Sequence, residues 1–172
     1  MSERAKLSYS DFKNQLKKVK LLSLDVDGIL TDGGLYYTEN GDELRKFNVK
    51  DGMGMKKARE AGVELCIISA STTNAIQERG KRLGLSHVYT GAKNKIEILQ
   101  KICDELGIGL DCVAHMGDDL NDIPIMDQIG TPITVADAVE AVKAKTLYIT
   151  QKKGGKGAVR EICDLLIEVN AS

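Results

Sequence analysis

The groups best suited to chemistry in this 172-residue chain are two carboxylates one residue apart at the end of an apolar run, Leu21-Leu22-Ser23-Leu24-Asp25-Val26-Asp27-Gly28. On an extended chain Asp25 and Asp27 alternate with Val26 and face the same way. Like charges held that close repel, and a divalent cation is the simplest relief. Mg²⁺ suits the position because it takes oxygen ligands. Two further apolar runs end in polar groups. Val63 to Ile68 leads into Ser69, and Cys112 to Met116 leads into Gly117-Asp118-Asp119-Leu120-Asn121-Asp122. Lys93 and Lys95 open an amphipathic segment between them. An aspartate, a second aspartate, a hydroxyl, a lysine and another acidic pair around one Mg²⁺ describe phosphoryl transfer. Asp25 would attack phosphorus and carry the phosphoryl group. Asp27 would protonate the leaving alcohol and later deprotonate a water. Ser69 and a lysine, Lys93 or Lys95, would donate to the phosphoryl oxygens. Asp118 would ligate the metal beside Asp25 and Asp27, with Asp119 orienting its water or the lysine.

These groups meet only if the apolar runs are parallel strands, because their C-terminal ends then share one edge. The pattern predicts that arrangement. Strands at Leu21–Asp25, Val63–Ser69, Val88–Tyr89, Cys112–Met116, Thr131–Val135 and Leu147–Thr150 alternate with helical segments. The helices are expected from Asp51 to about Ala61, from Thr72 or Thr73 to Gly84, from Lys93 to Leu106, from just after Asp122 to about Ile129, from Asp137, and from Ala158 to Val169. Such alternation implies an α/β fold, a Rossmann-like doubly wound parallel sheet. Before the first strand, Ser8 and Asp11 form a capping pattern, with Phe12, Leu16 and Val19 at helical spacing. Asn40-Gly41 between β-formers predicts a hairpin directly after the acidic strand, at the mouth of the site. One domain is expected over 1–172, with a helical extension at 1–18, a hairpin flap at 35–47, and a flexible glycine-rich loop plus helix at 151–172. His115, inside an apolar strand, reads as a core residue, and His87 as a strand-edge residue.

The bulk properties exclude several classes. Net charge is −1, and there are five Tyr, two Phe and no Trp, so neither a basic footprint nor a stacking platform for nucleic acid is present. No apolar run is long enough to cross a membrane, and the N-terminus lacks the apolar core of a signal peptide. Cys66, Cys103, Cys112 and Cys163 are scattered without metal-type spacing, which predicts reduced thiols in a cytoplasmic protein. A signalling receiver domain would need an acid at the end of its third strand, and Tyr89-Thr90-Gly91 has none. A non-catalytic assembly module is the remaining alternative, and a complete acidic constellation weighs against it.

The constellation also carries a resemblance. Asp25-Val26-Asp27-Gly28, Ser69, Lys95 and Gly117-Asp118-Asp119-Leu120-Asn121-Asp122 resemble, in order, the four motifs of the haloacid dehalogenase superfamily. The resemblance implies Lys95 as the lysine, with Asp119, Asn121 and Asp122 standing behind the metal site. From about residue 19 to 169 the chain is more closely similar to capless 3-deoxy-D-manno-octulosonate 8-phosphate phosphatases. The segments that carry it are Asp27 to Gly34, the hairpin, Lys46-Phe47-Asn48-Val49-Lys50-Asp51-Gly52 and Gly154-Gly155-Lys156-Gly157-Ala158-Val159-Arg160-Glu161. That group is similar to the 9-phosphate phosphatases of nine-carbon sialic-type acids and to the C-terminal domain of animal sialic acid cytidylyltransferases. The resemblance implies a sugar-acid phosphate as substrate, no cap domain, and a homotetramer built through the hairpins. It implies substrate contacts from Gly28, Asp32, Gly34, Lys46, Asn48, Asp51, Ala70 and Ser71, and a tail that closes with Arg160. One departure bears on the sugar. The octulosonate phosphatases usually have Gly-Arg after the motif hydroxyl and the nine-carbon enzymes Gly-Glu, where this chain has Ala70-Ser71. Neutral Ser71 cannot make a bidentate pair with a carboxylate, and Arg82 is the candidate for a compensating charge.

Overall fold

The computed structural model describes residues 4–171. Residues 1–3 and 172, the outermost ends of the expected N-terminal extension and C-terminal segment, lie outside the described residues. Six strands form one parallel sheet: β1 (Leu21–Leu24), β4 (Glu64–Ile68), β5 (His87–Tyr89), β6 (Val113–Met116), β7 (Thr131–Thr134) and β8 (Tyr148–Ile149). Their order is β5-β4-β1-β6-β7-β8. The chain winds outward from β1 through β4 to β5, returns to β6, and winds the other way. The reversal falls between β1 and β6, and there the loops leaving adjacent strands diverge and open a crevice. β1 is buried throughout, as the apolar run requires of a central parallel strand.

Helices α1 (Tyr9–Leu16), α2 (Val49–Glu60) and α7 (Ala158–Asn170) lie with one apolar layer of the sheet, and α4 (Lys95–Leu106) and α5 (Ile123–Met126) with the other. α3 (Asn74–Leu83) and α6 (Glu140–Lys143) complete the helical set. Local chemistry sets their starts. The Ser8 hydroxyl accepts from the Asp11 N–H at 3.1 Å, and the Asn48 side-chain Oδ1 from the Lys50 N–H at 2.8 Å. α2 therefore starts two residues before the expected Asp51. Phe12, fully buried, stacks on Tyr148 with ring centroids 4.0 Å apart, which fastens α1 over the sheet edge.

The expected hairpin is present as β2 (Tyr36–Tyr37) paired antiparallel with β3 (Glu43–Leu44). Two expectations need correction. The helix after Asp122 starts where expected but stops at Met126, short of Ile129. The acidic loop makes a 3₁₀ turn at Leu120–Asp122 and passes into the four-residue α5, whose first turn accommodates Pro124. Likewise the helix after Asp137 is only the four residues of α6.

The glycine-rich loop before α7 is not free. Gly154 and Gly155 are buried. A β-carbon on Gly154 would fall 1.7 Å from the Gly28 carbonyl oxygen, and the Gly155 N–H bonds to the Ile29 carbonyl at 2.9 Å. These glycines let two backbones touch. Gly154→Ala is therefore expected to destabilise the protein by about 1–3 kcal/mol, measured as a lower urea midpoint at unchanged m-value, whereas an unchanged midpoint would mean the loop stands off the Gly28 turn.

Candidate active site

The crevice between β1 and β6 is an open cleft of about 480 Å³. It is lined by Asp25, Asp27, Gly28, Gly33, Ser69, Ala70, Ser71 and the run from Asp118 to Asn121. β1 ends at Leu24, so Asp25 stands just past the strand and Asp27 is already in a turn. Asp25 is held by its own N–H on the Met116 carbonyl, 3.0 Å away. Gly28 has φ +74°, and a β-carbon there would fall 1.8 Å from Asp118 Oδ2. The turn after β1 can close over the Asp118 carboxylate only because residue 28 has no side chain.

Of the two candidate lysines, Lys95 is buried against Asp25 and Lys93 is exposed. The Lys95 Nζ is 3.0 Å from Asp25 Oδ1 and 2.5 Å from Asp122 Oδ1. Burial opposes its charge, but Asp25 and Asp122 more than offset this and raise its pKa. Burial, then repulsion from Asp122, pushes Asp25 up to about 7 against the Lys95 cation. Burial and Asp25 push Asp118 up to about 7 as well. Burial also acts on Asp122, yet the His115 hydrogen bond and the Lys95 cation hold its carboxyl well below the ordinary range.

Carboxylate oxygens of Asp25, Asp118 and Asp122 come within 4.8 Å of one another. Asp122 already accepts from Lys95, from His115 and from the Asp118 N–H, so its valences point inward. Asp25 and Asp118 are the pair left with unrelieved charge facing the cleft, and all the donor atoms are oxygen. This fits a hard divalent cation such as Mg²⁺. The Asp27 side chain, expected as a third ligand, lies outside this close group. It is 39% exposed and turned toward Arg45. Burial raises its pKa, and Arg45 partly counters this.

Arg45 is the residue that sequence reasoning missed. It follows β3, and its side chain is only 3% exposed. Its Nε is 2.9 Å from Asp27 Oδ1, and its Nη2 donates to Asp27 Oδ2 at 3.2 Å and to Ser71 Oγ at 2.9 Å. Period-two alternation past Glu43 and Leu44 was the available signal, since Arg45 shares the Glu43 face and forms an ion pair with it. Arg82, the expected source of compensating charge, is exposed on a separate groove with Val49, Met53 and Arg79. A cation does stand beside Ser71, but the hairpin supplies it.

Among the other expected substrate contacts, Gly28, Ala70 and Ser71 line the cleft and the rest do not. Asp32 pairs with Lys46 at 2.6 Å, which holds its carboxyl at about 2, and the Gly34 N–H bonds to the same side chain. Asn48 donates to the Gly155 carbonyl, and Asp51 accepts the Arg160 N–H at 2.8 Å. The Arg160 guanidinium turns to Asp164. In this structure these residues fasten hairpin stem and tail around the cleft. Ser69 lines the cleft with its hydroxyl bonded by the Ser71 N–H, and Asp119 and Asn121 stand on the opposite lip.

A doubly wound parallel sheet with this acidic switch point, and no domain inserted above it among the described residues, defines a haloacid dehalogenase-type hydrolase. The family model described as haloacid dehalogenase-like hydrolase matches residues 85–162. The chain is 40% identical over 158 residues to the 3-deoxy-D-manno-octulosonate 8-phosphate phosphatase of Escherichia coli K12, covering 92% of this chain and 84% of that one. A Moraxella catarrhalis phosphatase of the same name, solved with magnesium ion, phosphate ion and KDO, superposes with TM-score 0.91 at 37% identity, over 94% of this chain and 93% of that chain. The cobalt-bound Haemophilus influenzae protein gives 0.87 at 32%, over 91% and 92%. The chain belongs to the 3-deoxy-D-manno-octulosonate 8-phosphate phosphatase family.

The raised carboxyls have a sign that can be checked. Between about pH 4, the unfolded carboxylate range, and about 7, the folded protein without metal keeps protons on Asp25 and Asp118 that the unfolded chain has lost. Stability therefore falls as pH rises through that window. Thermal melts in EDTA are expected to show this fall, and added Mg²⁺ to reverse it most at the upper end; a flat profile with no Mg²⁺ effect would contradict the shared site.

Proposed function

We propose that this protein is a Mg²⁺-dependent phosphatase that converts 3-deoxy-D-manno-octulosonate 8-phosphate to the free sugar acid and phosphate. The supporting observation is the convergence at the β1/β6 switch point, where Asp25 on Lys95, Asp27, Ser69 and Asp118 face one small cleft. Asp25 and Asp118 would hold Mg²⁺, which would supply charge neutralisation of the carboxylates against the incoming phosphate. Asp25 attacks phosphorus, the bond from phosphorus to the sugar oxygen breaks, and an aspartyl-phosphate forms. Asp27 gives its proton to the departing oxygen. In the second half Asp27 takes a proton from water, which attacks the aspartyl-phosphate and releases phosphate with Asp25 restored. Lys95 and the Ser69 hydroxyl donate to the phosphoryl oxygens as charge spreads over them. Arg45, above Ser71, faces the body of the sugar acid.

Assembly and location belong to the same reading. Leu35, Tyr36, Tyr37 and Leu44 are all about half exposed or more on the hairpin, a cluster that a second copy would cover. Hairpin packing into a homotetramer accounts for it. No helix among the described residues is long and apolar enough to cross a membrane, and the free thiols fit a cytoplasmic setting.

Ser71 in place of the family's usual arginine favours one second reading, a 9-phosphate of a nine-carbon sialic-type acid. Mg²⁺-dependent phosphate release from both substrates decides between them: preference for the eight-carbon substrate is expected, and preference for the nine-carbon one would overturn the assignment. Asp25→Asn is expected to lower kcat by roughly 10³-fold or more; wild-type turnover would rule out the covalent route. For the assembly, light scattering is expected to give four copies, and the pair Tyr37→Glu and Leu44→Glu to give monomers with an unchanged far-ultraviolet spectrum. A wild-type monomer would remove the hairpin from this role.

A further inference from the structure

His115 is a buried titratable group that the proposed chemistry does not touch. It sits in mid-β6, in register with Ser23 of β1 and with Pro132 of β7. Val113, on the same face of the strand, packs among Leu99, Ile125 and Met126. An apolar side chain would be the simple occupant of that place, yet a fully buried imidazole stands there with both nitrogens used. Nδ1 is 3.0 Å from Ser23 Oγ, and Nε2 is 3.2 Å from Asp122 Oδ1.

The partners fix the tautomer. A carboxylate only accepts, so Nε2 must carry the hydrogen, and Nδ1 then accepts from the Ser23 hydroxyl. A continuous line of donors follows. Ser23 donates to His115, and His115 to Asp122 Oδ1. The same oxygen takes Lys95 at 2.5 Å, and Asp122 Oδ2 takes the Asp118 N–H at 3.1 Å. Lys95 reaches on to Asp25 at 3.0 Å. Asp122 is thus bonded to Lys95 and to the loop of Asp118 at once, and the angle of its carboxylate sets both. The two strands at the centre of the sheet hold that angle from behind, through Ser23 and His115.

We infer that His115 is a positioning residue for the phosphatase site: with Ser23 it locks the Asp122 carboxylate so that Lys95 is aimed at Asp25 and the Asp118 loop is held at the metal position. The inference rests on the phosphatase reading for its kinetic consequence, and the metal-binding consequence stands apart from it. Without the Nε2–H donor, the Asp122 carboxylate is free to turn toward Lys95 alone, and the Asp118 N–H loses its partner. Shifts of about 1 Å in such groups cost around 10²-fold in rate. The substrate's own contacts are untouched, so KM stays.

The test uses His115→Phe, which fills the space, and His115→Gln, whose side-chain amide restores a donor. For Phe, kcat is expected to fall about 10- to 100-fold with KM within about threefold, and calorimetry is expected to show weaker Mg²⁺ binding to the substrate-free protein. For Gln, both should return to within about threefold of wild type. Thermal melts of the full chain establish that each variant is folded. A folded Phe variant with wild-type kcat and Mg²⁺ affinity would overturn the inference. So would a folded Gln variant as impaired as Phe, because filling the space would then be all that His115 does. If wild type releases phosphate from neither sugar acid, the proposed function falls, and Mg²⁺ affinity alone still decides the role of His115.

Discussion

One buried ammonium group holds the centre of this protein together. Lys95 is the cation at the meeting point of Asp25, Asp118 and Asp122, and it touches two of them. An ion pair so far from water is weak evidence for stability, because desolvating its members costs several kcal/mol each. Its effect here is on arrangement. It lets two carboxylates from different strands approach without mutual expulsion, and it leaves Asp25 and Asp118 short of charge balance on the side facing the cleft. The site is built with a deficit of positive charge that an incoming cation corrects. The parallel sheet makes this possible, since only at the switch between β1 and β6 do two adjacent strand ends open away from each other.

Much of that arrangement was legible in the residues. Apolar runs ending in Asp25, Ser69 and Asp118 announced parallel strands and a shared edge, because a half-exposed strand would have alternated. Asn40-Gly41 announced the hairpin. The choice between Lys93 and Lys95 could not be made from spacing, because it depends on which side of one helical turn faces the sheet. The helix expected after Asp122 begins there but is cut to four residues, and Asp122 itself turns inward to Lys95 and His115. His115 read as an ordinary core residue, since its partners Ser23 and Asp122 are brought to it by sheet register and by a tight turn.

Charge placement was the least legible feature. Arg82 looked suitable by distance along the chain, but it faces outward from α3. Arg45 comes from a two-stranded hairpin whose fold-back direction no local pattern specifies. The result is that Asp27 and Ser71 are tied to each other by a guanidinium carried on the hairpin, whose strands form a two-stranded sheet of their own. The hairpin is therefore structurally continuous with the Asp27 end of the cleft.

The contact of Gly154 and Gly155 with the turn at Gly28 and Ile29 joins segments far apart in the chain. The turn that carries Asp27 follows β1, and the backbone that braces it follows β8. Helix α7, which buries Val159, Ile162, Cys163 and Leu166, comes directly after that brace and anchors it to the core. Peeling α7 from the sheet would therefore loosen the turn over the acidic cluster while leaving β1 paired with β4 and β6. The shape of the cleft thereby depends on packing distant from it in sequence, and a lesion in α7 would be felt at Asp27.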